Sequence, residues 1–399
     1  MTAPENIKTW LAESSTQAPI WSQPPIYNLS NPEDVAALQA MHGSGDILHV
    51  RDSLESTARD LHVLHHPDKA NDSAHQGEFV ANITGQGELF GRWVYFPWLG
   101  QLVHYPEEAE HYATRVFRNH DLVTRKEQAS LRTKTTAHLG LSVGGILCEG
   151  MVRAGIGYKT ILADKARITP ANCNRMTATQ EHVGVRKTDY IGTVLSGIDP
   201  YLKQVHMPDG FNRDNTDVLL QHDADLILEE TDDPFIKAFA REFARRNGIP
   251  LIMVTDLDGT VLLDVERYDK EHAVPFGGRL KYHEYQELLS GKAAPEDLQR
   301  YLVKIVGVRY LTTRMLSSVM EVGKTLGGTS QLGDTVMLGG AIGTKAARAV
   351  LLDKPLRSGR YPIPTRKLLK LPPQASITEG FAVLKDFARY TKSSHQTTA

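Results

Sequence analysis

From about Lys134 onward, short apolar runs alternate with amphipathic segments. AHLGLSVGG reads as a strand tip and turn, ILCEGMVRAG as a helix, and YKTILAD as a strand with an acidic end. KTDYIGTVLSGI then reads as a helix, ADLILEETDD as a strand, PFIKAFAREFARRNG as a helix and IPLIMVTD as a strand. Strands and helices alternating across short connections predict a parallel sheet covered by helices. Right-handed crossovers make a doubly wound sheet the economical topology. After Thr260, VLLDVERYD reads as a further strand, returning as the second arm of a hairpin.

The pattern before Lys134 is different. A Pro-rich patch at Gln23-Pro24-Pro25 and a histidine group (His62, His65, His66) precede the aromatic stretch FGRWVYFPWLGQLVH, residues 90–104. That stretch is strand-like and is broken by Pro97 and Gly100, which predicts a hairpin. Residues 1–108 are therefore expected to form a small α+β accessory domain, and residues 109–390 the larger α/β domain. Pro106 is expected to open a charged helical segment running to about Leu131. Near the C-terminus, a helix around 309–323 leads into GGTSQLGDTVMLGGAIG, whose small residues suit tight packing between helices better than a ligand contact. The basic segment Lys354–Lys370 reads as a solvated face, and the last eight or so residues as disordered.

Composition narrows the function classes. A hydrophobic share of 41% with 23% charged residues over 399 positions describes an ordinary globular chain. A net charge of -2 supplies no global attraction to nucleic acid or to an anionic membrane, so neither is an expected partner. No apolar run reaches the roughly eighteen residues of a membrane span. The start MTAPENIKTW lacks the basic and apolar parts of a secretory signal, so a cytoplasmic location is the expectation. Two cysteines, Cys148 and Cys173, make neither a disulfide framework nor a zinc site. Cys148 falls in an apolar helical pattern and is expected to be buried. Cys173, between Asn172 and Asn174, is expected to be more exposed.

The chemistry concentrates at strand ends. Gly140, Ser142, Gly144 and Gly145 form a small-residue turn between a strand and a helix, where the backbone can approach a phosphate and the helix start offers free N–H groups. Asp164 ends the next strand and can accept hydrogen bonds from ribose hydroxyls. This much fits NAD and ATP equally. Asn172, Asn174 and Arg175 follow directly, and Lys187 one loop later. A guanidinium and an ammonium there can neutralise charge on departing pyrophosphate, which hydride transfer does not need. Asp232, in Glu229-Glu230-Thr231-Asp232-Asp233, can hold Mg²⁺ against phosphates.

In their order and spacing these elements resemble the ThiF/MoeB adenylyltransferases, which are related to ubiquitin-activating enzymes, over about residues 130–265. The resemblance implies a Rossmann-like, mostly parallel sheet and adenylation of a carboxylate with ATP and Mg²⁺. It implies that Asp164 binds ribose, that Arg175 and Lys187 bind the triphosphate, and that Asp232 binds Mg²⁺. The family's dimers imply an arginine acting across a homodimer, Arg118 or Arg115 here. Three departures stand out. Ser142 replaces the usual middle glycine, Asp233 replaces the usual asparagine, and no zinc-binding or relay cysteine follows Asp232. The pattern therefore resembles the peptide-modifying branch of the family. That implies a precursor peptide whose glutamate side chains are activated and cyclised with loss of water in antibiotic biosynthesis, with residues 1–108 as a possible peptide clamp. Activation of another carboxylate or of a tRNA base is the alternative.

A rival from another class is Thr255-Asp256-Leu257-Asp258-Gly259-Thr260, which resembles the nucleophile motif of haloacid-dehalogenase phosphatases. That chemistry needs a second acidic pair to hold Mg²⁺. The position four after Asp334 is Leu338, and a strand follows Thr260 where a helix is required. A nucleotide-binding scaffold would need none of Arg175, Lys187 and Asp232.

Overall fold

The computed structural model describes residues 21–372 and 374–393, together with Ile7. Most of the N-terminal segment lacking a signal pattern, and the chain beyond 393, fall outside that range. The chain divides into two compact units, one reaching Phe117 and including Asp199–Tyr201, the other comprising Arg118–Ile198 and the chain from Leu202.

The first unit holds β1 (Ile26–Tyr27), α1 (Pro32–Ser44), β2 (His49–Arg51), α2 (Leu54–His65), α3 (Ser73–Thr84), β3 (Arg92–Phe96), β4 (Gln101–Tyr105) and α4 (Glu108–Val116). Its sheet has the order β1-β3-β4-β2. The expected hairpin is β3–β4, antiparallel with Trp93 opposite His104. Pro97 opens the 3-10 turn between the strands, and Gly100 at φ 57° closes it in a conformation a side chain would strain. Trp93 stacks on the His104 ring at 4.4 Å, and His104 Nδ1 lies 3.0 Å from Asp52. His62 is buried, with Nε2 2.9 Å from His75 Nδ1, and His65 stands 3.7 Å from Glu110.

The second unit continues with α5 (Arg125–Arg132), β5 (Thr135–Leu139), α6 (Val143–Arg153), β6 (Lys159–Ala163), α7 (Lys187–Ile198), β7 (Lys203–Met207), α8 (Asp217–Gln221), β8 (Leu226–Glu229) and α9 (Pro234–Asn247). It closes with β9 (Leu251–Leu257), β10 (Thr260–Glu266), α10 (Tyr282–Ser290), α11 (Pro295–Val306), α12 (Thr313–Glu321), α13 (Gly333–Leu351), β11 (Gly359–Ile363), α14 (Thr365–Leu368) and α15 (Ile377–Ser393). The seven strands run β11-β10-β9-β8-β5-β6-β7. Neighbours from β7 to β9 pair in parallel, while β9–β10 and β10–β11 are antiparallel. This is the expected α/β sheet, mostly parallel, accompanied by a smaller one.

Both faces are packed. Leu147, Met151, Leu228, Val254, Val261 and Ala347 form one core layer, and Leu139, Ile161, Ile227, Phe243 and Leu251 contribute to another. Helix α13 lies tight on α6, because a Cβ at Gly340 would come within 2.6 Å of Ile146 and one at Gly343 within 2.2 Å of Leu147. The small-residue stretch serves packing over this length.

Three expectations need correction. The helix from Pro106 to Leu131 is broken, because the chain turns through Asp121 at φ 66° and restarts at Thr124, whose capping box with Glu127 begins α5. Strands β7 and β11 had no counterpart in the sequence reading. The Lys354–Lys370 segment is only in part a solvated face, since the Arg360 side chain on β11 is 6% exposed and gives Asp264 two hydrogen bonds, at 2.9 and 2.6 Å.

Candidate functional site

The glycine turn leaves β5 at Gly140, whose φ of 88° suits glycine. A Cβ there would meet the Glu230 carbonyl oxygen at 2.6 Å, so the turn runs directly against the end of β8. Helix α6 begins at Val143, and Ser142 makes no side-chain capping bond to its first turn, the kind of helix start that can accept an anion. The other two glycines work differently. Gly144 lies over the Glu230 side chain (3.4 Å from where a Cβ would stand), and a Cβ on Gly145 would come within 2.7 Å of Ile191 of α7. Gly145 thus serves helix packing.

Asp164, just past β6, ties the site together. Its Oδ2 accepts a hydrogen bond from Leu141 N and its Oδ1 one from Ala166 N, each at 2.8 Å. Lys187 Nζ, at the start of α7, stands 3.7 Å from Oδ2 and is largely buried. A carboxylate so held keeps the glycine turn and the following loop in register, with the ammonium beside it.

The Asn172–Arg175 loop comes next. Asn172 Oδ1 accepts from Thr169 N (3.0 Å) and Oγ1 (3.3 Å), so its carbonyl caps the 3-10 turn Pro170–Asn172. Asn174 Nδ2 donates to Gln331 O at 3.0 Å, ahead of α13, where a Cβ on Gly333 would come within 2.3 Å of Asn174 O. Arg175 donates from Nη1 to Ala171 O and Asn174 Oδ1, both at 2.8 Å, and from Nε to Ser142 Oγ at 3.2 Å.

The acidic end of β8 splits into distinct tasks. Glu229 is buried; burial raises its carboxyl, but Lys237 and Arg241 beside it hold it below the usual range. It accepts from Thr231 N at 2.9 Å, Thr231 Oγ1 at 2.7 Å and Arg241 Nη1 at 2.7 Å. Glu230 is pushed well up by burial and accepts from Val254 N at 2.7 Å. Asp233 caps α9 through Phe235 N and Ile236 N, which accounts for an aspartate where the family has an asparagine, since both residues cap well. Asp232 remains exposed, with no hydrogen-bond or ion-pair partner among the described residues. Its oxygen donors at the strand edge fit a hard cation such as Mg²⁺.

Asp256, near the end of β9, also reaches this edge. Burial pushes its carboxyl up to about 6, opposed by Arg175 and reinforced by Asp232, and Gln331 Nε2 lies 3.4 Å from Oδ1. Gln331 carried no signal in the sequence, because it sits on a non-periodic segment far along the chain. Asp258 faces other work. Its Oδ2 accepts from Thr312 Oγ1 at 2.9 Å and Gln374 Nε2 at 2.5 Å, and β10 follows the turn, an arrangement unlike the dehalogenase motif. Of the cross-dimer candidates, Arg118 lies in the 3-10 turn Phe117–Asn119 and Arg115 pairs with Asp199 at 2.7 Å. Cys148 is buried, its thiol pushed up to about 12 by burial, and Cys173 is half-buried. No helix among the described residues is long and apolar enough to cross a membrane.

Comparison with known proteins places this geometry. Uncharacterized protein MT1398 of Mycobacterium tuberculosis (strain CDC 1551 / Oshkosh) is 30% identical over 294 residues, which cover 73% of this chain. The chain spans 40% of that relative's length. The structure of E. coli MccB with MccA-N7isoASN is 16% identical with a TM-score of 0.42, covering 64% of this chain and 66% of that one. That of SeMet PaaA is 14% identical with a TM-score of 0.46, covering 75% and 91%. Residues 116–263 match the model of the ThiF family, enclosing the glycine turn, Asp164, Arg175, Lys187 and Asp232, and the chain therefore carries a ThiF family domain.

Proposed function

We propose that this chain uses Mg²⁺ and ATP to adenylate a carboxylate, a glutamate side chain of a ribosomal precursor peptide, and then closes a ring with loss of water. The observation that carries this reading is the convergence of separate segments on one strand edge. The Gly140 turn, Asp164, Arg175, Lys187 and Asp232 come from five places in the chain, and the first four are linked by hydrogen bonds or an ion pair.

In this reading Asp164 takes the ribose hydroxyls while Lys187, and Arg175 above the glycine turn, take the phosphates. Asn172, Asn174, Ser142 and the small residues Gly140, Gly144 and Gly145 shape the cradle. A carboxylate oxygen attacks the α-phosphorus, the bond to the β-phosphate oxygen breaks, and pyrophosphate leaves with its charge met by the two cations. Mg²⁺ held by Asp232 supplies further neutralisation of the phosphates. An amide or amine nitrogen of the same peptide then attacks the acyl carbon, AMP departs, and the nitrogen's proton is released. The first unit offers β2, which among the described residues is an edge strand paired only with β4, whose three residues are exposed and could accept an added peptide strand. A cytoplasmic homodimer with Arg118 reaching the partner's ATP completes the reading.

ATP labelled on the α- or γ-phosphate tests it, supplied with Mg²⁺ and a glutamate-rich peptide. Labelled AMP and pyrophosphate should appear, the peptide should lose the mass of one water, and Asp164→Ala and Asp232→Ala should abolish both. Labelled ADP and phosphate would replace adenylation by acyl-phosphate chemistry.

A further inference from the structure

Ser142 stands at the one place in the glycine turn where a hydroxyl touches the phosphate-reading machinery. A guanidinium has five N–H donors in a fixed plane. In Arg175 one Nη1 hydrogen faces Ala171 O, the other Asn174 Oδ1, and the Nε hydrogen faces Ser142 Oγ. Three of five donors are thus satisfied within the protein, from two directions. The two on Nη2 have no hydrogen-bond partner among the described residues, although the guanidinium also acts electrostatically on the Asp256 carboxyl, so this free donor pair is held in a set orientation beside the uncapped start of α6. Asn174 is itself tied to Gln331 O, which anchors one side of the brace to the segment ahead of α13. Ser142 anchors the other side to the turn. A glycine at 142 would leave Nε without this acceptor and free the plane to rotate about the Asn174 side.

We infer that Ser142 is a positioning residue: its hydroxyl fixes the Arg175 guanidinium so that Nη2 is presented to the terminal phosphates of ATP, making the site read a triphosphate in preference to a monophosphate. This rests on the ATP-binding reading above. The serine that departs from the glycine pattern acts through the arginine and need not touch the nucleotide itself. Preorganising a donor fork lowers the ordering cost of each bond to the ligand.

Calorimetric titration of the full chain with the non-hydrolysable ATP analogue AMPCPP and with AMP, both with Mg²⁺, tests this. Ser142→Ala should weaken AMPCPP by about five- to tenfold, the scale of one ordinary hydrogen bond lost indirectly through the arginine. AMP affinity should stay within twofold, a difference that a general loosening of the turn would not produce. Ser142→Thr, which keeps the hydroxyl, should restore AMPCPP affinity. In an Arg175→Ala background, Ser142→Ala should cost nothing more. Equal losses for AMP and AMPCPP, no loss at all, or additive losses in the double variant would each overturn the inference while leaving ATP binding intact. No binding of AMPCPP by the wild type, with protein shown folded by circular dichroism, would overturn the ATP reading and this inference with it.

Discussion

Asp256 couples protonation at the candidate site to stability. Burial holds its carboxyl at about 6, against an ordinary value of 3.8. The folded chain therefore keeps a proton that the unfolded chain has released, so the native state loses stability as pH rises through that window. At neutral pH the charged form is the costly one, by about 3 kcal/mol at most. Asp256→Asn should consequently stabilise the protein against urea near neutral pH, and its advantage should vanish as pH falls toward the ordinary value. A constant difference across the range would mean that this carboxyl titrates like a solvated one. Part of that cost comes from gathering Asp232 and Asp256 at one edge. Other residues here were readable only in part. The spacing of Asp164, Arg175, Lys187 and Asp232 was legible as a candidate nucleotide site, because each stands at or just past a strand end or a helix start. The tasks of Asn172 as a turn cap, Asp233 as a helix cap and Gly145 as a packing residue depend on partners that only the folded chain brings near.

Elements followed a similar rule. Helices α7 and α9 and the β9–β10 hairpin were legible because their apolar positions recur with one period and end at clear caps, such as Gly248 in the left-handed region after α9. Strands β7 and β11 were not. Both are five-residue edges with mixed exposure, and β11 carries Pro362 and an arginine whose burial makes sense only beside Asp264. Helix α13 shows what its small residues do. A Cβ at Gly343 would stand 2.2 Å from Leu147 Cδ1 and 3.1 Å from Val254, whereas one at Gly197 in α7 meets nothing within 4 Å. Alanine ordinarily favours a helix over glycine by up to about 1 kcal/mol. Gly197→Ala should show that gain, while Gly343→Ala should destabilise by roughly 1–3 kcal/mol through overpacking. Chemical denaturation reads both signs, and a stabilising Gly343→Ala would mean that α13 and α6 have room to part.

At the scale of the molecule, tryptophan placement separates the two units experimentally. The tryptophans among the described residues, Trp21, Trp93 and Trp98, belong to the first unit, and Trp93 is buried against His104. The residues of the candidate nucleotide edge belong to the second, which also contributes most of the regular structure. Tryptophan emission during unfolding thus follows the first unit, and far-ultraviolet circular dichroism chiefly follows the second. A ligand bound only to the native state at a hundred times its dissociation constant stabilises it by about 2.7 kcal/mol. If ATP binds where Asp164, Arg175 and Lys187 converge, Mg²⁺-ATP should raise the dichroism midpoint by several degrees. The emission midpoint should move less, and Asp164→Ala should remove the effect on both. Equal movement of the two midpoints would mean that the units unfold as one cooperative body, and the nucleotide would then stabilise the proposed peptide clamp as firmly as its own sheet. Movement of the emission midpoint alone would place ATP on the first unit and overturn the assignment of the site.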